Sequence, residues 1–236
     1  MLLKISKWLL ALAAATVVAA LALAWYVGAW NILFPSGAHD EVPPTLPIEL
    51  GDNAILAFSK TNGFRHKEGI PAGNALLRTL AEDNGWGFYV TENGAVFNPQ
   101  DLQRFSVVVF NSATGDMLSE AQETAFQEWL ETGGGWIGIH AAGDGSHRGW
   151  DWYIDQLLGA HFTAHIMGPQ TQPARVVVER GDHPVMAGLP ASWVQAEEWY
   201  SWQQSPRIHG FIPLATVDED SYDPSARMLG RFTDLR

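Results

Sequence analysis

From Trp8 to Phe34 the chain reads WLLALAAATVVAALALAWYVGAWNILF, and no Asp, Glu, Lys or Arg stands between Lys7 and Asp40. A helix this apolar has no polar face to turn towards water, so the segment fits a lipid environment better than a protein surface. At about 1.5 Å per residue it reaches roughly 40 Å, against roughly 30 Å of hydrocarbon, the excess being taken up by tilt or by interfacial residues. Lys4 and Lys7 precede it and acidic residues follow it. The positive-inside rule then predicts a cytoplasmic N-terminus and a periplasmic folded part, with Trp25, Tyr26 and Trp30 in the far aromatic belt. A cleaved signal peptide is the rival, since Ala22-Leu23-Ala24 matches an A-x-A site and cleavage there would release a secreted domain. The run exceeds the roughly 7 to 15 apolar residues of an ordinary signal core, which favours the anchor. Residues 1–34 are thus expected to be an anchor or uncleaved signal, residues 35–50 (PSGAHDEVPPTLPIEL) a Pro-rich extended linker, and residues 51–236 the exported domain.

Hydrophobic residues make up 47% of the chain and charged residues 17%, so it has the material for a core and is not a disordered tail. Asp and Glu outnumber Lys and Arg 26 to 14, which opposes a phosphate backbone and makes nucleic acid a poor partner. There is no cysteine, so thiolate metal sites, disulfides and a Cys nucleophile are all excluded.

Residues 54–58 (AILAF) are a short, wholly apolar run of the kind that forms a buried parallel strand. Leu76, Leu77 and Leu80 predict a helix over residues 70–84 that Gly85 stops. Residues 86–90 and 107–110 (VVVF) predict the next two strands. Ser119 and Gln122 form a capping box for a helix whose apolar stripe is Leu118, Ala125, Phe126, Trp129 and Leu130, ending at Gly133. Residues 134–139 (GGWIGI) predict a fourth strand, residues 150–158 a short helix, and residues 175–178 and 213–217 later strands. Strands alternating with helices predict an α/β fold with a mostly parallel sheet covered on both faces.

Ligands of such sheets bind beyond the carboxyl ends of the strands. That rule selects residues 59–66, 111–116 and 140–144, three polar, Gly-containing loops that would share one rim. In Gly138-Ile139-His140-Ala141-Ala142 one bulky polar side chain stands among small ones at a strand-to-loop turn, the device by which a nucleophile elbow exposes its Ser. Imidazole there suits proton transfer or metal ligation. His66 and Arg65 on the first loop, Asn111 on the second and Asp144 on the third are further candidates. His161 and His165, four apart, would share a helix face and a metal, although their segment looks more like loop or strand. His183, in Asp182-His183-Pro184, reads as a turn residue. Glu198, Trp199 and Tyr200 put a carboxylate beside aromatic faces, which is what a sugar ring requires. No Walker loop, G-x-G-x-x-G or H-E-x-x-H motif is present.

The pieces ILAFSKTNGFRH, IPAG, VVVFNSATGDML, AFQEWLETGGGWIGIHAA, DHPVMAGLP and EEWYSW, in this order over residues 52–218, resemble the ThuA family. These are trehalose-utilisation-like domains of the class I glutamine amidotransferase-like superfamily. The resemblance implies a flavodoxin-like three-layer sandwich with His140 in the place of the amidotransferase nucleophile, so thioester chemistry on glutamine is excluded. It also implies a carbohydrate substrate of the 3-keto-glycoside or trehalose type. His140 would be the base or a metal ligand, His66 its partner and Glu198 an acid/base or ligand, with Arg65, Asn111, Asp144, Trp199 and Tyr200 binding substrate. A divalent metal is a possible cofactor, with His66, His140, His161 and His165 as candidate ligands, and the spacing identifies no particular ion. A non-catalytic carbohydrate-binding domain and a tethered interaction module are the alternatives. Family members continue beyond the segment matching Val217 with a closing Gly-rich strand, whereas this chain stops at RMLGRFTDLR, so the domain is expected to be truncated at its C-terminus. Oligomeric state is not legible.

Overall fold

A computed structural model of the chain describes residues 2–147, 149–228 and 231–234. Of the C-terminal run RMLGRFTDLR, on which the expected truncation rests, Leu229, Gly230, Leu235 and Arg236 lie outside the described residues. The chain divides into two compact units, one running to Trp150 and one starting at Asp151.

The first unit opens with α1 (Leu2–Tyr26). Its span Lys7–Tyr26, 20 residues with a mean hydropathy of 2.2, is long and apolar enough to cross a membrane, and its large side chains are exposed. The apolar run is nevertheless not one helix. At Gly28 the backbone turns with φ +86°, and a separate short helix α2 (Trp30–Leu33) follows. Gly28 is required there because a Cβ would lie 2.3 Å from the carbonyl oxygen of Arg65. Residues 35–50 contain no helix or strand, as their prolines predict, and they are tied along the unit. Asp40 accepts from Lys60 (2.6 Å) and from the Gly94 N–H (2.8 Å), and its own carbonyl accepts from Gln122 (2.7 Å).

The centre of this unit is a four-stranded parallel sheet in the order β2-β1-β3-β4, formed by β1 (Ile55–Phe58), β2 (Phe88–Thr91), β3 (Val107–Asn111) and β4 (Gly135–Ile139). Alternation sends Ile55, Ala57 and Val109 to one face, where they pack with Leu77 and Ala81 of α3 (Gly69–Asn84). Phe58 and Phe110 leave the other face and join Phe97 and Phe126, with ring centroids 4.8 to 5.7 Å apart. Phe126 belongs to α5 (Glu120–Glu131), so helices cover both faces and the three layers exist. A further short helix, α4 (Pro99–Leu102), is capped by Asn98. In α5 the capping box closes as expected, with Gln122 Oε1 accepting from the Ser119 N–H at 3.0 Å.

The stripe of α3 differs from the expected one. Its buried residues are Ile70, Leu77 and Ala81, while Leu76 and Leu80 are exposed. At about 100° per residue, positions 70, 77 and 81 fall within about 40° of one another, whereas 76 and 80 lie roughly 80° or more to the side. Gly85 ends the helix in the left-handed conformation as anticipated, its N–H directed to Ala81 and Glu82.

In the second unit a helix of π type covers Tyr153–Leu158, and the strands pair antiparallel in three small sheets. β6 (Gln172–Val178) lies between β7 (Ser192–Glu197) and β9 (Ala215–Val217). β5 (Phe162–His165) pairs with β8 (Tyr200–Trp202), and β10 (Ser225–Met228) with β11 (Arg231–Asp234). Of these, β6 and β9 were foreshadowed in the sequence.

Candidate functional site

The loops after β1, β3 and β4 do meet at one rim of the parallel sheet. Thr61 bridges Thr114, the Asn62 N–H donates to the Thr114 carbonyl (2.8 Å), and the Thr114 hydroxyl donates to the Phe64 carbonyl (2.9 Å). The Ser112 N–H reaches the Ile139 carbonyl at 3.1 Å, and Ser146 Oγ accepts from the Gly115 N–H at 2.8 Å, which draws in the third loop. Buried backbone groups of three loops thereby satisfy one another, and the rim is stiff.

Out of this rim come two imidazoles. His140 follows β4 directly with φ +50°, a left-handed conformation that an ordinary residue adopts only when its surroundings enforce it. That strain turns the side chain out of the strand, as the small neighbours Ala141 and Ala142, both fully buried, permit. Its Nε2 lies 3.0 Å from Nε2 of His66, with the rings nearly perpendicular. Phe64 supports His66 edge-on at 4.8 Å. Between two such nitrogens one imidazole donates and the other accepts, so the pair offers a base beside an acid. The same separation suits two cis ligands of one metal ion: at about 2.1 Å per bond and a right angle, the nitrogens stand about 3.0 Å apart. His66 and His140 would therefore fit a divalent cation.

The other candidates on this unit are committed within the protein. Arg65 forms a two-pronged ion pair with Glu92 (2.7 and 3.1 Å). Asn111 is 1% exposed, and its amide donates to the Ile70 carbonyl and to Asn74, tying the end of β3 to α3. Asp144 accepts from the Ser146 N–H at 2.8 Å and lines a cleft of about 290 Å³ with Asp116 and Phe64.

The remaining candidates belong to the second unit. His161 pairs with Asp155 (2.8 Å) and His165 with Glu198 (3.0 Å), so the two histidines have separate partners, and residues 162–165 form a strand rather than a helix. Trp199 donates to the Gln172 carbonyl (2.8 Å). Tyr200 stacks beside His165 and lines a cleft of about 420 Å³ with Trp202, Arg207 and Tyr222. His183 caps its own turn, accepting from the Val185 N–H, in keeping with its structural assignment.

Further titratable groups lie on or beside the rim loops. His39, on the linker, pairs with Asp116 at 2.8 Å. Next to them Glu123 has its carboxyl pushed up to about 7, by burial first and then by the charge of Asp116, with His39 opposing. His147 is buried with Nδ1 3.3 Å from the Gly115 carbonyl; burial holds its imidazole below the usual value, against the pull of Asp144. Asp40 sits below the usual carboxylate range: burial works upwards, but the hydrogen bonds from Lys60 and Gly94 outweigh it. Nothing local marked His39, whose partner is 77 positions away.

A parallel four-stranded sheet with helices on both faces, and a histidine at the turn after its fourth strand, define a flavodoxin-like α/β domain. The sequence profile of the ThuA family, described as trehalose utilisation, matches residues 54–233, and the chain belongs to that family. A ThuA-like protein from Bacteroides uniformis ATCC 8492 is 25% identical, with a TM-score of 0.63 over 77% of this chain and 74% of that one. A ThuA-like protein from Parabacteroides merdae ATCC 43184, 17% identical, shares the fold with a TM-score of 0.54 over 71% and 69%. No curated protein matches the chain in sequence. Membership assigns a carbohydrate-related role in general terms.

Proposed function

We propose that this protein cleaves a glycoside oxidised at C3, using His140 and His66 as a proton-transfer pair, while α1 anchors it in a membrane with the folded part on the periplasmic side. The observation that carries this is the 3.0 Å approach of two Nε2 atoms supplied by loops 74 residues apart. A carbonyl at C3 acidifies the adjacent C2–H, so cleavage needs one base and one donor to the developing oxyanion rather than two carboxylates. His140 Nε2 takes the C2 proton, and the electron pair left behind forms the C1–C2 double bond as the C1–O bond breaks. The imidazolium then returns that proton to the departing alcohol, giving an unsaturated keto-sugar and the free alcohol. His66, as the neighbouring Nε2–H donor, stabilises the C3 oxygen. Were a divalent cation bound, His140 and His66 would hold it through these nitrogens in place of their base and donor roles, and it would polarise the C3 oxygen as a Lewis acid.

The test is turnover of 3-keto-trehalose by the purified full chain, with elemental analysis of the same sample. His140→Ala is expected to lower the rate by about 10²- to 10⁴-fold. A variant as fast as wild type would remove the proposal. A second reading, carbohydrate binding without turnover, is favoured by the aromatic cleft of Tyr200, Trp202 and Tyr222. It predicts tryptophan fluorescence changes on titration with disaccharides and no product.

A further inference from the structure

The loop that carries His66 is stitched to the end of the apolar helix. Lys67 Nζ donates to the carbonyls of Trp25 and Tyr26 (2.5 and 2.7 Å) and lies 4.6 Å from the centre of the Trp25 ring. The Arg65 N–H donates to the Gly28 carbonyl (3.1 Å), and Asn31 of α2 donates to the Thr61 carbonyl (2.8 Å). While Asn31 faces the loop, its neighbours Trp30, Ile32, Leu33 and Phe34 are 39 to 58% exposed. This apolar patch continues directly from α1, and it has the form of a short helix lying in a bilayer interface. Between the helix end and the loop is an open cavity of about 450 Å³, walled by Tyr26, Val27, Phe64, Arg65, His66 and Lys67. A cavity of that size holds a mono- or disaccharide.

Taken together, these contacts put one wall of the His66 cavity on the C-terminal end of the apolar helix. We infer that the site takes a saccharide headgroup still attached to a lipid in the bilayer, with α2 resting in the headgroup layer. The inference rests on the proposed carbohydrate site and on α1 spanning the membrane. It explains why the polar end of the anchor is bonded to the active loop instead of being separated from it by a free tether. A lipid-borne ligand confined to the same surface also reaches this cavity at a raised effective concentration.

The absence of cysteine makes a clean test available. Single cysteines replace exposed residues in the full chain, as Glu68→Cys beside the cavity, Phe34→Cys on α2 and Asp83→Cys near the far end of α3. Each variant is labelled with an environment-sensitive fluorophore and reconstituted in vesicles of phosphatidylethanolamine and phosphatidylglycerol. Lipids carrying a spin label on the headgroup should quench the labels at 68 and 34 strongly and the label at 83 weakly. A glucosyl diacylglycerol in the vesicles should then perturb the label at 68 about tenfold or more tightly than free glucose or trehalose does. An unquenched label at 68, equal affinity for the two forms, or no response to either would each overturn the inference. Binding of the glycolipid with no turnover of 3-keto-sugars would instead defeat only the proposed reaction.

Discussion

Glu123 is the side chain whose proton is most exposed to test. Its carboxyl is raised from 4.5 to about 7 by burial and by Asp116, so between those values the native chain holds a proton that the unfolded chain has released. Stability from this group is therefore greatest below about pH 4.5 and falls as the pH rises towards 7. Glu123→Gln, which stays neutral, should stabilise the protein at pH 8 and leave it unchanged near pH 4.5. The gain should be on the order of 1 kcal/mol, because the partly exposed carboxylate is screened by solvent. Thermal melts of both proteins at the two pH values measure it. His147 runs the other way. Held neutral by burial, it contributes stability above its ordinary pKa of 6.5 that is lost as the pH falls below that value.

For the elements, the loop junction decides the site. Gly115 has φ +80°, and a Cβ there would stand 2.5 Å from the Gly63 nitrogen and 2.6 Å from the Asn62 carbonyl carbon, both backbone atoms that cannot swing aside. Gly115→Ala should cost about 2–4 kcal/mol in chemical denaturation and loosen the loop that bears His66. The two central strands were legible because their apolar runs, Ile55–Phe58 and Val107–Phe110, are buried along nearly their whole length. The rim loops were legible because strand ends mark ligand sites in parallel sheets. The face of α3 was not: Leu76 and Leu80 match a helical period, but the partner sheet selected the stripe of Ile70, Leu77 and Ala81. Periodicity gives the pitch of a helix, and packing decides which of its faces turns inward.

At the scale of the whole molecule, the exposed apolar span Lys7–Tyr26 lies in the longest helix among the described residues. At about 1.5 Å per residue it is about 30 Å long, the thickness of the hydrocarbon core. If it serves as the proposed anchor, the full chain stays in the membrane pellet through alkaline carbonate extraction, and protease added to the periplasmic face removes the folded part. Release into the carbonate supernatant would rule out a spanning helix.

What depends on neighbours along the chain could be read from the residues alone: an apolar helix of membrane length, six strand runs, a capped helix and a turn that presents His140. Tertiary structure decided what depends on distant partners. Among these are the break of the apolar run at Gly28, enforced by the Arg65 carbonyl, and the antiparallel pairing of β5 with β8. The approach of His66 to His140 is of the same kind. Hydropathy and turn chemistry act over a few residues and can be read locally, whereas a contact between positions 66 and 140 exists only once three loops have closed over one another's backbone.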